Sequence, residues 1–327
     1  MWAHPSRLSI YHYFSFLFRP ILVKQGLREK LFGPALFFLT DSANPHNNME
    51  HTPKRFARVI MDRWFKRTFG TENHQRLLHL FLQELLPEHN IIKLTLDNTE
   101  HVNPLPGKKD IRVDVECYDE DGTRFVVEMQ LADQTHFYER AVFNSSFAIL
   151  QQKKAGETDY DFPAVYVVGL MNFSWHDGDD RVIYRYRLRE DNSGESMTDR
   201  LQYILLELPN SVQKVRTDKA TLMEKFCFAL YQMEHFTERP AEFKEEIFKL
   251  LFEYADIATF SPEEKIQYEL DMTTEADRIN QLNFAMEEGA KNQARKTAKV
   301  LLGRGVSEDI IVESTGLSPE EVQALRN

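Results

Sequence analysis

Only two cysteines, Cys117 and Cys227, occur in the 327 residues. Both stand in apolar surroundings and neither belongs to a C-x-x-C pair. Neither disulfides nor a structural zinc site is expected, which suits a reducing cytoplasm. Buried cysteine ordinarily behaves as a small hydrophobe. Positive charge is short as well: the formal net charge is -11. The total therefore does not mark a nucleic-acid binder, and any such role needs local basic patches. No apolar run is long enough to span a membrane. There is no G-x-x-x-x-G-K-S/T, no G-x-G-x-x-G after a strand and no histidine pair at zinc-protease spacing.

What is present is enough for a sizeable core. The hydrophobic fraction is 42%, and the length suits one large domain or two ordinary ones. The first stretch is aromatic-rich, with "LSIYHYFSFLF" and then "LFGPALFFL". A short basic start before an apolar run resembles a signal peptide, yet Arg19, Lys24, Arg28 and Lys30 follow the run and no A-x-A site appears. Met49 opens "MEHTPKRFARVIMDRWFKRTFG", which reads as the start of a soluble domain. Residues 1-48 read as an extension with little structure; the alternative is an export or anchoring segment.

"PKRFARVIMDRWFKRTFG" has Phe56, Val59, Ile60 and Phe65 at helical spacing and ends at Gly70. "ENHQRLLHLFLQELLP" is a second amphipathic helix, closed before Pro87. "IIKLTL" reads as a strand, followed by a polar loop. Ile111, Val113, Val115 and Cys117 then alternate with Asp110, Arg112, Asp114 and Glu116, the period of a strand. "DEDG" is turn chemistry and "RFVVEMQL" is the return strand. "THFYERAVFNSSFAILQQKKAG" is a helix ended by Gly156, "AVYVVGLMNF" a central strand, and "RVIYRYRLRE" and "QYILLEL" two more strands. From about Asp218 the pattern is helical, with a long polar helix from Glu263 to Leu302. Ser318-Pro319-Glu320-Glu321 starts the second helix of a terminal helix–turn–helix pair.

The hairpin holds the candidate chemistry. If Tyr118 pairs with Arg124, Asp114 stands opposite Glu128, and opposed residues on one face have Cβ atoms about 4.5–5.5 Å apart. Gln130 lies two positions on and shares that face. A one-residue slip destroys the arrangement. Two readings of this face stand open. It is a solvated face whose charges keep an edge hairpin soluble, or it is a site in which Asp114 and Glu128 bind a divalent cation. In the second, Gln130 orients a water or contacts a metal-bound oxygen, and does not act as a base.

The order of blocks resembles the PD-(D/E)XK nuclease superfamily, and most of all its PD-(D/E)XK family transposases, the recombination-promoting nuclease group. The elements that carry the likeness are "FKRTFGTEN", "LFLQELLP", "DIRVDVECYDEDGTRFVVEMQ", "FYERAVFNSS", "ILQQKKAGETDY", "RYRLRED" with "ILLELP", and "LLGRGVSEDIIVESTGLSPEEV". They run from about Met49 to the C-terminus. The resemblance implies an α/β fold: a restriction-endonuclease-like core, a mixed sheet flanked by helices, with an all-helical C-terminal region. The domains would be 49-215 for the nuclease-like core, 216-302 for a helical region and 303-327 for the terminal pair. It also implies a Mg²⁺- or Mn²⁺-dependent DNA endonuclease promoting recombination or transposition-like exchange. Asp114 and Glu128 would be its catalytic metal ligands, and Gln130 would stand where the superfamily name has lysine. A further acid from the first helix is common in the superfamily; Glu72, Glu84 and Glu100 are candidates among which the sequence does not choose. Arg140 could reach a phosphate. DNA contacts are expected from Lys54-Arg67 and from Lys291-Lys299, and a homodimer through the C-terminal helices. The rival readings are a catalytically silent DNA- or protein-binding module of the same fold, and a nuclease toxin or defence effector.

Overall fold

The computed structural model describes residues 54–101, 110–131, 136–152, 158–176, 178–217 and 219–326. The expectations for residues 1-48 and for Gly156 as a helix end lie outside them.

Described elements run in chain order. Helices α1 (Asp62–Phe69) and α2 (Gln75–Leu85) precede strands β1 (Leu94–Leu96), β2 (Glu100–His101), β3 (Ile111–Arg112), β4 (Val115–Asp119) and β5 (Arg124–Gln130). Helix α3 (Phe137–Leu150) leads to β6 (Val165–Met171), β7 (Ile183–Arg187) and β8 (Leu201–Glu207). Helices α4 (Ser211–Val215), α5 (Leu222–Gln232), α6 (Glu246–Ala255), α7 (Pro262–Gly303), α8 (Glu308–Thr315) and α9 (Pro319–Ala324) follow.

Six strands form one mixed sheet in the order β1-β4-β5-β6-β8-β7. β1, β4 and β5 are antiparallel neighbours, β5, β6 and β8 run parallel, and β7 returns antiparallel at the edge. A parallel pair needs a crossover, and α3 supplies it between β5 and β6. The central strand β6 is buried along its whole length, as its unbroken apolar run requires.

Strand alternation separates two faces. Phe125, Val127 and Met129 face a core with Phe65 and Phe69 of α1, Leu78 and Phe81 of α2, Phe226 of α5 and Leu251 of α6. Val126 faces the other way, onto Ala141 and Ala148 of α3. The expected parity of β5 is thus borne out, and the sheet lies between two helical layers. The core continues through α5 and α6, so the helices from residue 216 to Ala255 share it. The chain divides into two compact units at Ala255/Asp256. In the second unit, α7 is a single helix of 42 residues started by the Ser261–Glu264 capping box. Ala298, Ile311, Leu317 and Val322 pack the terminal helix pair onto its end. Among the described residues no helix is long and apolar enough to cross a membrane.

Two elements differ from their sequence patterns. The helix expected from residue 54 starts at Asp62, although Phe56, Val59 and Ile60 are buried as their spacing suggested; residues 54–61 bury them from irregular backbone. The expected strand across residues 110–117 is broken at Asp114. Ile111 and Arg112 pair with β2 in a separate two-stranded sheet, and β4 begins only at Val115. Ile111 and Val113 consequently pack on the α3 side, whereas Val115 and Cys117 pack on the other.

Candidate active site

The turn fixes the geometry. Gly122 sits at φ 80°, a conformation glycine adopts without steric cost, and Tyr118 pairs with Arg124. That is the register expected from the sequence. The paired ladder ends at Val115↔Val127, one position short of Asp114 and Glu128. The break at Asp114 gives its carboxylate a different task from a strand side chain. Asp114 Oδ2 accepts the backbone N–H of Met129 at 2.7 Å, which ties it to the neighbour of Glu128.

This face is not solvated. Asp114, Glu128 and Gln130 are 9%, 8% and 6% exposed. Space for the covering helix comes from Gly169, which lies beside Glu128 in the parallel register. A Cβ there would stand 2.9 Å from Leu205 Cδ2 and 3.1 Å from Phe137 Cζ. With hydrogen alone at that position, Phe137 drops against the sheet and carries α3 over the carboxylate. Asn144 Nδ2, itself buried, then donates to Glu128 Oε1 at 3.0 Å. The cavity left beside Glu128 is about 10 Å³, room for at most one water.

Burial pushes the Glu128 carboxyl up to about 8, and the charge of Asp114 adds to the rise. Arg140, the Asn144 hydrogen bond and Lys66 oppose it. Burial also raises Asp114, against the Met129 N–H and the Lys66 charge. Lys66 Nζ lies 3.3 Å from Asp114 Oδ1 and 2.9 Å from Asp62 Oδ1. Partial burial works against the Lys66 charge, but the two aspartates outweigh it and hold its pKa above the ordinary lysine value.

Another buried carboxylate on the same hairpin makes a useful contrast. Glu116 is 2% exposed, but Arg124 Nη1 lies at 2.8 Å and His101 Nε2 at 2.6 Å from its two oxygens. That is the compensation a structural buried carboxylate requires. Glu128 instead receives the Asn144 amide, feels the charges of Arg140 and Lys66, and faces a second acid. Strong perturbation by burial plus a specific charge marks functional sites more often than structural ones.

The candidate donors are all oxygen: two carboxylates and, two positions further along β5 on the face of Glu128, the amide oxygen of Gln130. Gln130 Oε1 is buried and accepts no hydrogen bond from the described residues. Buried polar groups are nearly always satisfied, so this acceptor is suited to a water or a ligand. A hard divalent cation fits such a set, since Mg²⁺ is held by one or two carboxylates and keeps waters and phosphate for its other positions. Among the described residues no group of three or more His, Cys, Asp and Glu is arranged to hold a metal ion. A closed, all-protein cage is thus not what this site offers.

None of the three glutamates considered from the sequence is among the groups that act most strongly on the pair. Glu84 is raised by burial and by Glu245, Glu100 lies 3.5 Å from Arg112, and Glu72 opens a 3-10 turn. The acid that does act on Asp114 is Asp62. Asp62 and Asn144 were not considered as site residues from the sequence, and Lys66 only as one of the basic residues of Lys54-Arg67 expected to contact DNA. The spacing of Arg140 and Asn144, four apart on α3, was the available signal for Asn144.

The basic segments are partly spent on internal contacts. Lys54 and Arg58 pair with Glu234, Arg55 donates to Thr237 O and Arg67 to Tyr254 O. On α7, Lys291 and Arg295 lie 3.5 and 3.8 Å from Glu321, while Lys296 and Lys299 are exposed.

A family model described as PD-(D/E)XK nuclease family transposase matches residues 59–285, more than half of the chain. Comparison with curated proteins and with solved structures gives no match.

Proposed function

The chain belongs to the PD-(D/E)XK nuclease family transposases, and on that premise we propose that it is a DNA endonuclease dependent on Mg²⁺ or Mn²⁺ that promotes recombination or transposition-like exchange. The observation that carries this reading is the buried pair Asp114 and Glu128, both raised by burial although Lys66 lies 3.3 Å from Asp114.

Asp114 and Glu128 would hold the ion, which when bound polarises the phosphodiester and acidifies a water. The chain's own residues prepare the site for it. The Met129 N–H fixes the Asp114 carboxylate and Asn144 fixes that of Glu128. Gln130 Oε1 accepts from the attacking water and orients it, without taking its proton. The helix over Gly169 keeps bulk water from the acids, which strengthens every charge interaction there. Lys296 and Lys299 offer the DNA backbone exposed cations.

Pairing of two copies through the C-terminal helices is part of the same proposal. α7 exposes Leu282, Phe284 and Met286 near its middle. Two copies packed side by side would bury these exposed apolar side chains against each other. Sedimentation velocity of the full chain tests it: a dimer supports the pairing and a monomer at tens of micromolar overturns it.

The activity is tested by plasmid nicking with the full chain, with Mg²⁺, with Mn²⁺ and with chelator, beside Asp114→Ala. Metal-dependent nicking that is lost in the variant is the expected result. No nicking with either ion turns the reading to a silent binding module.

A further inference from the structure

Position 130 is glutamine, so the end of β5 carries no cation of its own. Cleaving a phosphodiester gathers negative charge on the phosphate oxygens, and preplaced cations lower that barrier. Two side chains bring positive charge to the acidic pair, Arg140 and Lys66. Arg140 lies 5.8 Å from the Phe137 ring centroid, with one guanidinium nitrogen shut off from solvent. Lys66 is placed on the open side. Its side chain is 40% exposed, and Asp62, which holds it from one turn away, is 68% exposed.

The helix under Lys66 is firmly set. Trp64, Phe65, Thr68 and Phe69 are buried. Gly70 lets the last turn of α1 meet β4: a Cβ there would stand 2.9 Å from Lys66 O and 3.3 Å from Val115 Cγ2. Lys66 is thereby delivered beside Asp114 by rigid elements, with only its flexible stem free to swing.

We propose that Lys66 is the cation the protein presents to the scissile phosphate, supplied from α1 in place of the one that the end of β5 lacks. The proposal rests on the nuclease reading. A divalent ion held by Asp114 would supply the charge balance that Lys66 provides there. The ammonium is then held only by Asp62, and exposed pairs of that kind bind weakly. An incoming phosphate offers the stronger partner, and a compact ammonium with three donors suits it.

The competing role is that Lys66 merely neutralises Asp114. The two separate in the full chain carrying Lys66→Met, Lys66→Arg, or Lys66→Met with Gln130→Lys. Three quantities are read: the single-turnover nicking rate, the salt dependence of duplex affinity with Ca²⁺ in place of Mg²⁺, and Mn²⁺ affinity. Lys66→Met is expected to slow nicking about 10²-fold. It should flatten the log–log salt slope by about 0.9, one phosphate contact, while Mn²⁺ affinity rises under either role because a neighbouring positive charge is removed. Lys66→Arg keeps the slope, and Gln130→Lys restores most of the rate lost in Lys66→Met. An unchanged rate and slope in Lys66→Met overturns the proposal in favour of a neutralising partner. A lost rate that neither Lys66→Arg nor Gln130→Lys recovers overturns it as a matter of fold. An intact chain that neither binds nor nicks DNA overturns the nuclease reading itself and this inference with it, before any variant is compared.

Discussion

Glu128 stands beside Gly169 in the parallel pairing of β5 with β6, and Phe137 fills the space above the missing side chain. The site depends on that omission. Phe137 is the first residue of α3, and its seating sets Asn144 against the carboxylate two turns later. Gly169→Val should therefore lift α3, cost about 1–3 kcal/mol through overpacking and abolish nicking. Urea denaturation and the plasmid assay check the two halves.

The raised Glu128 carboxyl makes stability depend on pH. Its folded value of about 8 lies above the ordinary 4.5. The metal-free protein binds the extra proton between those values, so its stability is full below about 4.5 and falls as pH rises through about 8. Asp114, also raised, adds in the same direction. Glu128→Gln should remove most of this slope and be the more stable protein at pH 8.5 without metal, while losing nicking. Thermal melts across pH 5–9 with chelator read the effect directly.

Asn144 should matter more than an ordinary helix residue. It is buried and its only described partner is Glu128 Oε1. Groups that orient metal ligands typically cost 10–100-fold in metal affinity or activity when lost. About that loss is expected for Asn144→Ala, read as Mn²⁺ affinity and single-turnover rate.

Arg124 should behave in the opposite manner. It pairs with Glu116 and with Asp97 at 2.7 Å, at the far end of the hairpin. Arg124→Met strands a buried carboxylate and should cost about 3 kcal/mol, the low end of such losses because His101 remains. Mn²⁺ affinity should not change. Urea midpoints and a metal titration separate the two effects.

The hairpin was legible because its signals are local. "DEDG" sets the turn, and strand periodicity then places Glu128 and Gln130 on one face; Asp114 is tied beside them by the Met129 N–H and not by the ladder. The break at Asp114 was hidden, because Ile111, Val113, Val115 and Cys117 keep one parity on both sides of a bend that exchanges faces. Lys66 and Asp62 were legible as a helical pair four apart, but their approach to Asp114 depends on how α1 docks at Gly70. The helix expected from residue 54 failed for a related reason: Phe56, Val59 and Ile60 are core residues, and burial alone does not require a helix.

The most direct measurement is calorimetric titration of Mn²⁺ into the full chain and into Glu128→Gln at pH 7. At that pH Glu128 is largely protonated, so binding of the ion should release a proton, seen as a dependence of the heat on the buffer's ionisation enthalpy. The account predicts binding with proton release in the intact chain and loss of both in the variant. Equal Mn²⁺ binding by the two proteins, or none by either, would contradict it.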